Sequence, residues 1–519
     1  MTMHWLLITF LLSLVSAQTS TDPQNATASS ILYGYPLLAW QKAFVPVIDA
    51  VGANEWSHGR QLSDASDRAV VKPNVDTLYS RLIYDVSQSS VEITIPDIPD
   101  NEFKLFSFYD PYGDNFVNIG TGGFYMPGKY LIRPYDAPGG NGTVGFQKSD
   151  NTSGGYIGTV SSPTLYGILL VRWGVNASDI SKVHGWQNEC GVTIISPTPD
   201  LAGATFPSLN SLINVYNVRD SPAMNVMSLL AKYAPTNGPS DEFKAAGISN
   251  GTYTAVSSVD LAVANATAVK EVAAAAASPG NIELENNGWS VLSPKYAGVY
   301  GTNYALRTLI ANTGYLALAT PYAVYPTWSN SSYGSANAFL NVASNEAILF
   351  TFSGKPPLQD TGFWSLTAYG SDYYLIPNKQ NVYALGDRSN ITYATGTKVY
   401  DVVSGDSNGS YQILLQPGDV APPANWTSNW LPAPSGGGDV VAQLRFYLAE
   451  PSLLDGTYKY PVVEKIAAIT KGGGSRGVSN DGSSVGTGAG TSMRDAASST
   501  LWVVAMVAVA CVISGTLVL

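Results

Sequence analysis

The sequence has little cysteine, little histidine and few charged side chains. It contains two cysteines and three histidines in 519 residues, and charged residues make up 13% of it, against roughly 25% in an average protein. So few histidines, without ligand spacing, exclude a zinc hydrolase. The net charge of −11 argues against nucleic acid and anionic lipid surfaces as partners. We therefore expect no metal and no cofactor.

Turn-forming and aromatic residues are abundant instead. The chain has 50 Gly, 31 Pro, 31 Tyr and 11 Trp, a combination typical of extracellular β-proteins rather than helical cytosolic enzymes. Short apolar runs separated by turn clusters predict a mainly β fold with a helical insert, of the α+β class. Its two β-domains are expected to be β-sandwiches joined by a helical region.

Both ends of the chain carry processing signals. The apolar run Trp5–Val15 is followed by small residues that end at Ala17, the pattern of a cleaved signal peptide. At the other end, a 19-residue apolar run, Leu501–Leu519, follows a polar spacer and a cluster of small residues. This order predicts a glycosylphosphatidylinositol (GPI) anchor attached at Gly488 or Gly490. A single C-terminal membrane helix is the alternative, because the run is long enough to span a bilayer.

Ten Asn-x-Ser/Thr sequons predict a glycosylated exterior, with each site in an exposed loop. The sites are Asn25, Asn141, Asn151, Asn176, Asn250, Asn265, Asn330, Asn390, Asn408 and Asn425. We expect the protein to pass through the secretory pathway to the outer face of the plasma membrane or the cell wall. Once the tail is removed with Cys511, the mature chain keeps Cys190 alone, so the fold depends on burial and not on an intramolecular disulfide.

Changes in residue pattern divide the chain into six parts. They are a signal peptide (1–17), a first β-domain (30–177), a helical connecting region (178–323), a second β-domain (324–470), a Gly/Ser-rich stalk (471–490), and a spacer with a hydrophobic tail (491–519). Near the start, Ile31–Ala53 predicts a helix broken near Pro36 and Pro46. The aromatic stretch Gly362–Arg388 predicts a β-hairpin that turns at residues 370–372.

Two stretches of the chain resemble known families. The second β-domain resembles the family called domain of unknown function 1214, through Gly362–Thr367, Asn429–Pro434, Leu444–Tyr447 and Leu454–Tyr458. The first is similar to domain of unknown function 1254, through Tyr33–Leu37, Val70–Asn74, Asp76–Ser80 and Asp110–Asp114. The resemblance implies two jelly-roll-like domains joined by helices, and it implies no particular reaction.

Carboxylates are the candidates for catalysis. They are Asp76, Asp110 and Asp114 in the first β-domain and Asp387, beside Arg388, in the second. Two carboxylates that flank a sugar bond suffice for glycoside hydrolysis. The alternative is structural, because aspartates often cap turns and pair with neighbouring arginines. The oxygens of the 110–115 loop would also suit calcium, although a self-capped turn is the simpler interpretation.

Aromatic and amide side chains are the candidates for ligand binding: Tyr79, Tyr112, Trp364, Tyr369, Asn378 and Trp430. In a strand, Trp364, Leu366 and Ala368 share one face and the residues between them share the other, so one set must face a core. The sequence thus leaves two functions open. One is a membrane-anchored surface protein that binds an extracellular small molecule or glycan. The other is a cofactor-free extracellular hydrolase that uses carboxylates. The cleft between the β-domains is where we expect the site.

Overall fold

The computed structural model describes residues 22–68, 70–137, 142–149, 155–175, 180–195, 221–233, 240–328, 339–400 and 409–470. These ranges are mainly β-strand with several helices, which confirms the predicted class. The predicted signal peptide, stalk, spacer and tail lie outside the described residues, as do the sequons at Asn141, Asn151, Asn176, Asn330 and Asn408. Among the described helices, none is long and apolar enough to cross a bilayer.

Two five-stranded sheets pack around one core in the first β-domain. The first sheet has the order β1 (Trp56–His58), β2 (Thr77–Asp85), β9 (Tyr166–Gly174), β4 (Lys104–Tyr109), β5 (Asn115–Gly120). The second has the order β10 (Gly191–Ile195), β3 (Ser90–Ile95), β6 (Gly128–Pro134), β8 (Tyr156–Ser162), β7 (Gly145–Lys148). Alternate residues such as Leu78 and Leu82 enter this core, because side chains of a strand point to opposite faces in turn. Helix α2 (Ile180–Glu189) adds Val183 and Trp186 to it.

A layer of helices packs against the outer side of the first sheet. In it, α1 (Pro23–Val51) contacts α3 (Ser221–Tyr233), α4 (Ser240–Ala245), α5 (Leu261–Ala277) and α6 (Tyr304–Thr313). Helix α1 begins at Asp22, whose side chain accepts the Asn25 N–H. The predicted break is wrong, because the helix runs through both Pro36 and Pro46. Packing against the other helices compensates for the backbone hydrogen bonds that the prolines remove.

The second β-domain has an eight-stranded and a four-stranded sheet around another core. Six strands of the larger sheet follow one another in the order β13 (Ile282–Leu284), β14 (Trp289–Leu292), β16 (Thr327–Trp328), β23 (Gly437–Ala449), β19 (Leu358–Gly370), β20 (Ala384–Gly386). The other two strands, β15 (Ala323–Val324) and β17 (Leu340–Ala343), also pair with β23. The smaller sheet is β22 (Trp430–Ala433), β21 (Tyr411–Pro417), β18 (Glu346–Phe352), β24 (Val462–Ala467). A two-stranded ribbon, β11 (Ile248–Ser249) and β12 (Thr252–Tyr253), lies among the helices.

Strands β13 and β14 lie within the stretch that the sequence predicts to be helical. Trp289 and Val291 are buried in the core of the second β-domain, so this part of the connecting region belongs to that domain's sheet. The predicted hairpin is also only half formed. The chain turns after Gly370, but it then makes an isolated bridge at Leu375 and rejoins the sheet only as β20. Pro377 interrupts the returning segment, because proline has no N–H for a ladder.

Candidate ligand-binding site

The site lies between the outer faces of the two β-domains, where a cavity of about 350 Å³ opens. Tyr79 and Arg81 of β2 and Arg172 of β9 lie on one face of the first sheet, and β2 pairs with β9 so that Tyr79 is opposite Arg172. Gln443 and Arg445 of β23 line the facing side. Each β-domain thus contributes one polar part of the wall.

The strand period explains why these polar side chains are available to the cavity. In β23, Leu444 and Phe446 enter the core of the second β-domain, whereas Gln443 and Arg445 point the other way. In β9, Val171 likewise enters the first core. A strand of this kind uses one face for its own domain and leaves the other for the junction between domains.

The helical layer and its neighbours supply the apolar part of the wall. Leu309 and Ile310 of α6, Leu316 after that helix, and Ile282 and Leu292 of β13 and β14 line the cavity. The lining therefore combines apolar and polar residues. Ligand pockets typically have a mostly apolar lining with a few converging polar groups.

Arg172 is buried at 4% exposure and has neutral partners. Its Nη1 donates to the Tyr109 hydroxyl at 3.1 Å and its Nη2 to the Leu316 carbonyl at 3.0 Å. Burial raises the pKa of Tyr109 above its ordinary value, so the phenol keeps its proton at neutral pH. The hydrogen bonds hold the guanidinium in place without neutralising its charge.

Arg445 is also buried at 4% exposure and has a similar environment. It donates to the Thr367 hydroxyl at 2.9 Å, the Lys72 carbonyl at 2.9 Å and the Tyr369 hydroxyl at 2.5 Å. Although the charge of Arg445 opposes the effect, burial raises the pKa of Tyr369 to about 12. Within the described part of the chain, neither Arg172 nor Arg445 forms a salt bridge.

The predicted catalytic residues form two groups, and none of them lines the cavity. In the first group, Ser365 donates to Asp76 Oδ2 at 2.6 Å, and Arg388 donates to the Asp76 carbonyl at 3.0 Å. Asp387 Oδ1 accepts the Trp364 N–H at 3.0 Å. Burial raises the pKa of Asp76, and it raises that of Asp387 to about 6. The two contacts of Asp76 join the β-domains, whereas the contact of Asp387 lies within the second one.

The second group is the turn that contains Asp110 and Asp114. Asp110 Oδ1 accepts the N–H groups of Tyr112 at 2.9 Å and Asp114 at 3.0 Å. Asp114 accepts the Tyr300 N–H at 2.6 Å and lies 3.8 Å from the Arg307 guanidinium. Burial and the charge of Asp114 raise the pKa of Asp110 to about 8. The turn is self-capped and anchored to the helical region. The described residues contain no group of three or more side chains suited to holding a metal.

A contact between His58 and Ser80 is structural as well. The two side chains lie 2.7 Å apart, but Ser80 is fully buried and also accepts hydrogen bonds from Trp173 and Gln187. Burial lowers the pKa of His58 to about 4. A nucleophilic serine needs access to a substrate, which this one does not have.

Of the predicted binding residues, Tyr79 lines the cavity. Trp364, Tyr369, Tyr112 and Trp430 are buried in the packed interior. Asn378 bonds to the backbone of its own turn, accepting from the Val382 N–H and donating to the Ile376 and Val382 carbonyls. Sequence reasoning missed the cavity cations, although an arginine inside an otherwise apolar strand, as in β9, was a usable signal.

Four of the sequons in the described residues are exposed: Asn25, Asn250, Asn390 and Asn425. Asn265 is different, because it lies inside helix α5 with 7% exposure. The prediction that every sequon lies in an exposed loop is therefore wrong for Asn265, and Asn25, although exposed, also lies in a helix, α1. A glycan there would have to displace packed helices.

Comparison with known proteins identifies the two β-domains. The family described as Protein of unknown function (DUF1254) matches residues 53–193, and Protein of unknown function (DUF1214) matches residues 327–451. A search of curated proteins gives no match.

Two solved structures are similar over most of the chain. The VPA0106 protein from Vibrio parahaemolyticus has 16% sequence identity and a TM-score of 0.57, with 86% of this chain and 100% of that chain covered. At this identity the likeness concerns the fold alone. An uncharacterised protein from Burkholderia cenocepacia has 11% identity and a TM-score of 0.38, with 84% and 88% covered. From its two family matches, the chain belongs to the two-domain DUF1254/DUF1214 family.

Proposed function

We propose that this protein binds a small molecule in the cavity between its two β-domains. The observation that carries the proposal is the cavity of about 350 Å³, to which both β-domains and the helical layer contribute. Pockets for small ligands begin at about 300 Å³ and occur preferentially at domain junctions. A cavity of this size fits a small molecule better than a polymeric glycan.

A hydrolase that uses carboxylates has less support. Asp76, Asp110, Asp114 and Asp387 all lie away from the cavity lining. The lining includes the carboxylate of Asp67, but this residue is exposed and accepts the Asp64 N–H at 3.0 Å. A pair of carboxylates around one bond, as glycoside hydrolysis requires, is not present in the described lining.

The cavity proposal can be tested with a glycine that lines it. A Cβ at Gly314 would have no neighbouring atom within 4 Å, and its φ of −177° is open to any residue. Gly314→Trp should therefore occlude the cavity while the protein still folds. Gly185→Trp is the matched control, because Gly185 is exposed and a Cβ there would also have no neighbour within 4 Å.

The measurement is native mass spectrometry of the secreted protein, with the released molecule identified after denaturation. Wild type and Gly185→Trp should carry the same ligand, and Gly314→Trp should carry none. Equal occupancy in the Gly314→Trp protein would place binding elsewhere. A wild-type protein that carries nothing, and takes up nothing saturably from a library of apolar anions, neutral compounds and cations, would also overturn the proposal.

We also propose that the protein is secreted, N-glycosylated and held by a GPI anchor on the outer face of the plasma membrane or the cell wall. The leader and tail patterns support this, together with the exposed sequons. Phosphatidylinositol-specific phospholipase C should release the protein from membranes. Persistence in the membrane fraction after this treatment would favour the single C-terminal helix.

We further propose that each β-domain is a jelly-roll-like sandwich. The chain passes back and forth between the two sheets of the first domain, which supports this topology: β2 lies in one sheet, β3 in the other and β4 in the first again. The parallel pairs β6–β8 and β21–β22 depart from a purely antiparallel roll. An experimental structure that places the two sheets of a domain side by side would refute the sandwich.

A further inference from the structure

We infer that the ligand is a carboxylate with an apolar body, bound with its anionic head against the arginines of the cavity. This inference rests on the proposed binding function and adds the chemical class of the ligand. Three features support it: the charges of the wall, its hydrogen-bond donors that lack a carboxylate acceptor, and the apolar part of its lining.

The charged groups of the wall are mostly cationic. Lys72, Arg81, Arg172 and Arg445 line the cavity, with Asp67 as the carboxylate among the described lining residues. Asp67 is exposed to solvent, so water screens its charge. This concentration of positive charge occurs in a chain whose net charge is −11. Attraction to Asp76 favours the charged form of Arg445, and attraction to Asp67 favours that of Arg81. Arg172 instead has tyrosine rings around it and forms no salt bridge among the described residues. Burying a cation without a counter-ion is costly, and an anion in the cavity would remove that cost for Arg172.

Several hydrogen-bond donors of the wall have no carboxylate acceptor among the described residues. No described residue accepts a hydrogen bond from the Arg81 side chain, and the two buried guanidiniums have only neutral acceptors. Gln443 Oε1, an acceptor in the wall, is already used by Lys72 at 3.1 Å and Thr327 at 3.0 Å. The wall is therefore suited to a ligand that accepts.

Two tyrosine hydroxyls are further hydrogen-bond donors of the wall. Tyr447 accepts from the Asn74 amide at 2.6 Å, and no described residue accepts its own proton. Burial raises the pKa of Tyr447 well above its ordinary value, so it is a neutral donor. The hydroxyl of Tyr79 has no hydrogen-bond partner among the described residues. Guanidinium forks and phenols together match the several lone pairs of a carboxylate.

The apolar part of the cavity lining fits an apolar body. Leu309, Ile310, Leu316, Ile282 and Leu292 offer no charge to a ligand. At about 30 Å³ for each water-sized group, the cavity of about 350 Å³ has room for about twelve such groups. Decanoate has about that many non-hydrogen atoms and is the probe that follows from this size.

The experiment compares three ligands of one chain length by calorimetric titration: decanoate, 1-decanol and decylamine. Wild type should bind one decanoate saturably, and it should bind decanol and decylamine at least about tenfold more weakly. Arg81→Met should weaken decanoate binding by about tenfold or more and leave decanol binding unchanged. Arg81→Lys, which restores the charge, should recover most of the loss.

Arg81 suits this test because its side chain makes no described hydrogen bond that would hold the fold together. Lys398→Met removes an exposed cation that does not line the cavity and should change nothing. Decanol or decylamine binding as tightly as decanoate would overturn the inference. So would undiminished decanoate binding by Arg81→Met, or no decanoate binding by wild type. If Gly314→Trp still abolishes retention of a co-purified ligand in those cases, the cavity function stands and only the ligand class is wrong.

Discussion

Buried charged residues mark the places where the β-domains and the helical layer meet. Arg172 and Arg445 each donate to hydroxyls of their own β-domain and to one backbone carbonyl of another unit. Asp114 lies beside Arg307 of α6, and Asp76 accepts from Ser365 of the opposite β-domain. These four residues connect units, whereas Glu92 and Lys104 are buried charged residues that pair within the first β-domain.

Asp110 should make stability depend on pH. Its pKa rises from an ordinary 3.8 to about 8 in the folded protein, because burial and the charge of Asp114 disfavour ionisation. Below pH 4 both the folded and the unfolded chain hold the proton. Between about pH 4 and 8 the unfolded chain releases it more readily, so the free energy of unfolding falls as pH rises. Arg307 faces the same turn and reduces this effect.

Asp110→Asn removes the ionisation but keeps the Oδ1 acceptor for the N–H groups of Tyr112 and Asp114. We expect the variant to be more stable than wild type at pH 8 by at least about 1 kcal/mol, and nearly equal to it at pH 4. Urea denaturation at both pH values measures this, with Asp360→Asn on the surface as the control. A gain that is the same at pH 4 and pH 8 would contradict the explanation.

For some residues the sequence predicted which side of the strand the side chain lies on, but it did not predict which residues line the cavity. Period two separates Trp364 from Ser365 correctly, since the first lies in a core and the second contacts Asp76. The same rule shows that Arg172 lies on the face opposite to Val171, and Arg445 on the face opposite to Leu444, so neither points into the core of its own domain. It does not show that the two faces meet, because that depends on how α5, α6 and the two β-domains pack.

At the level of elements, β19 belongs to two interfaces at once. Trp364, Leu366 and Ala368 fill the core of the second β-domain. Phe363 belongs to the core that the helices and the first domain share, and its ring stacks on Tyr447 at 4.3 Å between centroids. One strand thereby holds its own domain together and attaches it to the rest.

Substitutions in β19 should separate these two roles. Trp364→Ala should lower the free energy of unfolding by about 3–5 kcal/mol, because it leaves a cavity in a packed core. Ser365→Ala should cost about 1–3 kcal/mol, since Asp76 loses its donor in a buried place. Asp360→Ala, exposed on the same strand, should stay within about 0.5 kcal/mol.

Chemical denaturation of wild type and the three variants measures these differences in the free energy of unfolding. A loss for Trp364→Ala no larger than that for Asp360→Ala would refute the assignment of this face to the core.

Local sequence patterns predicted most elements but failed where packing decides. The strands at Thr77–Asp85 and Tyr166–Gly174 follow from alternation and turn clusters. Helix α1 was predicted to break at its prolines, yet its buried contacts keep it continuous. Strands β13 and β14 were missed because short strands that follow an alanine-rich helix carry little local signal. They pair with each other, and β14 also pairs with the distant β16.

One hydrophobic core contains residues from the helical layer and from both β-domains. It contains Leu37 and Trp40 of α1, Ile168 of β9, and Phe363 and Tyr447 of the second β-domain. Phe103 of the first β-domain packs edge-on against Phe363 at 4.9 Å. Neither β-domain can leave without exposing this apolar surface to water.

We therefore expect the chain to unfold in one cooperative transition, although many two-domain proteins unfold in two. Hydrogen exchange tests this expectation. The amides of β9 and β23 should exchange through an opening with the same free energy and the same denaturant dependence. Calorimetry should give one peak. Two resolved transitions, one for each β-domain, would contradict a shared core.

The polar contacts across the junction have a consequence for how related sequences change. Asp76 and Ser365 are 289 positions apart, and Asn74 and Tyr447 are 373 apart, yet each pair shares a hydrogen bond. A substitution at one of these positions removes the hydrogen-bond partner of a residue in the other β-domain. The two residues of such a pair should therefore vary together among relatives. A chimera that combines β-domains from distant relatives should be less stable than either parent unless both residues of each pair come from the same parent.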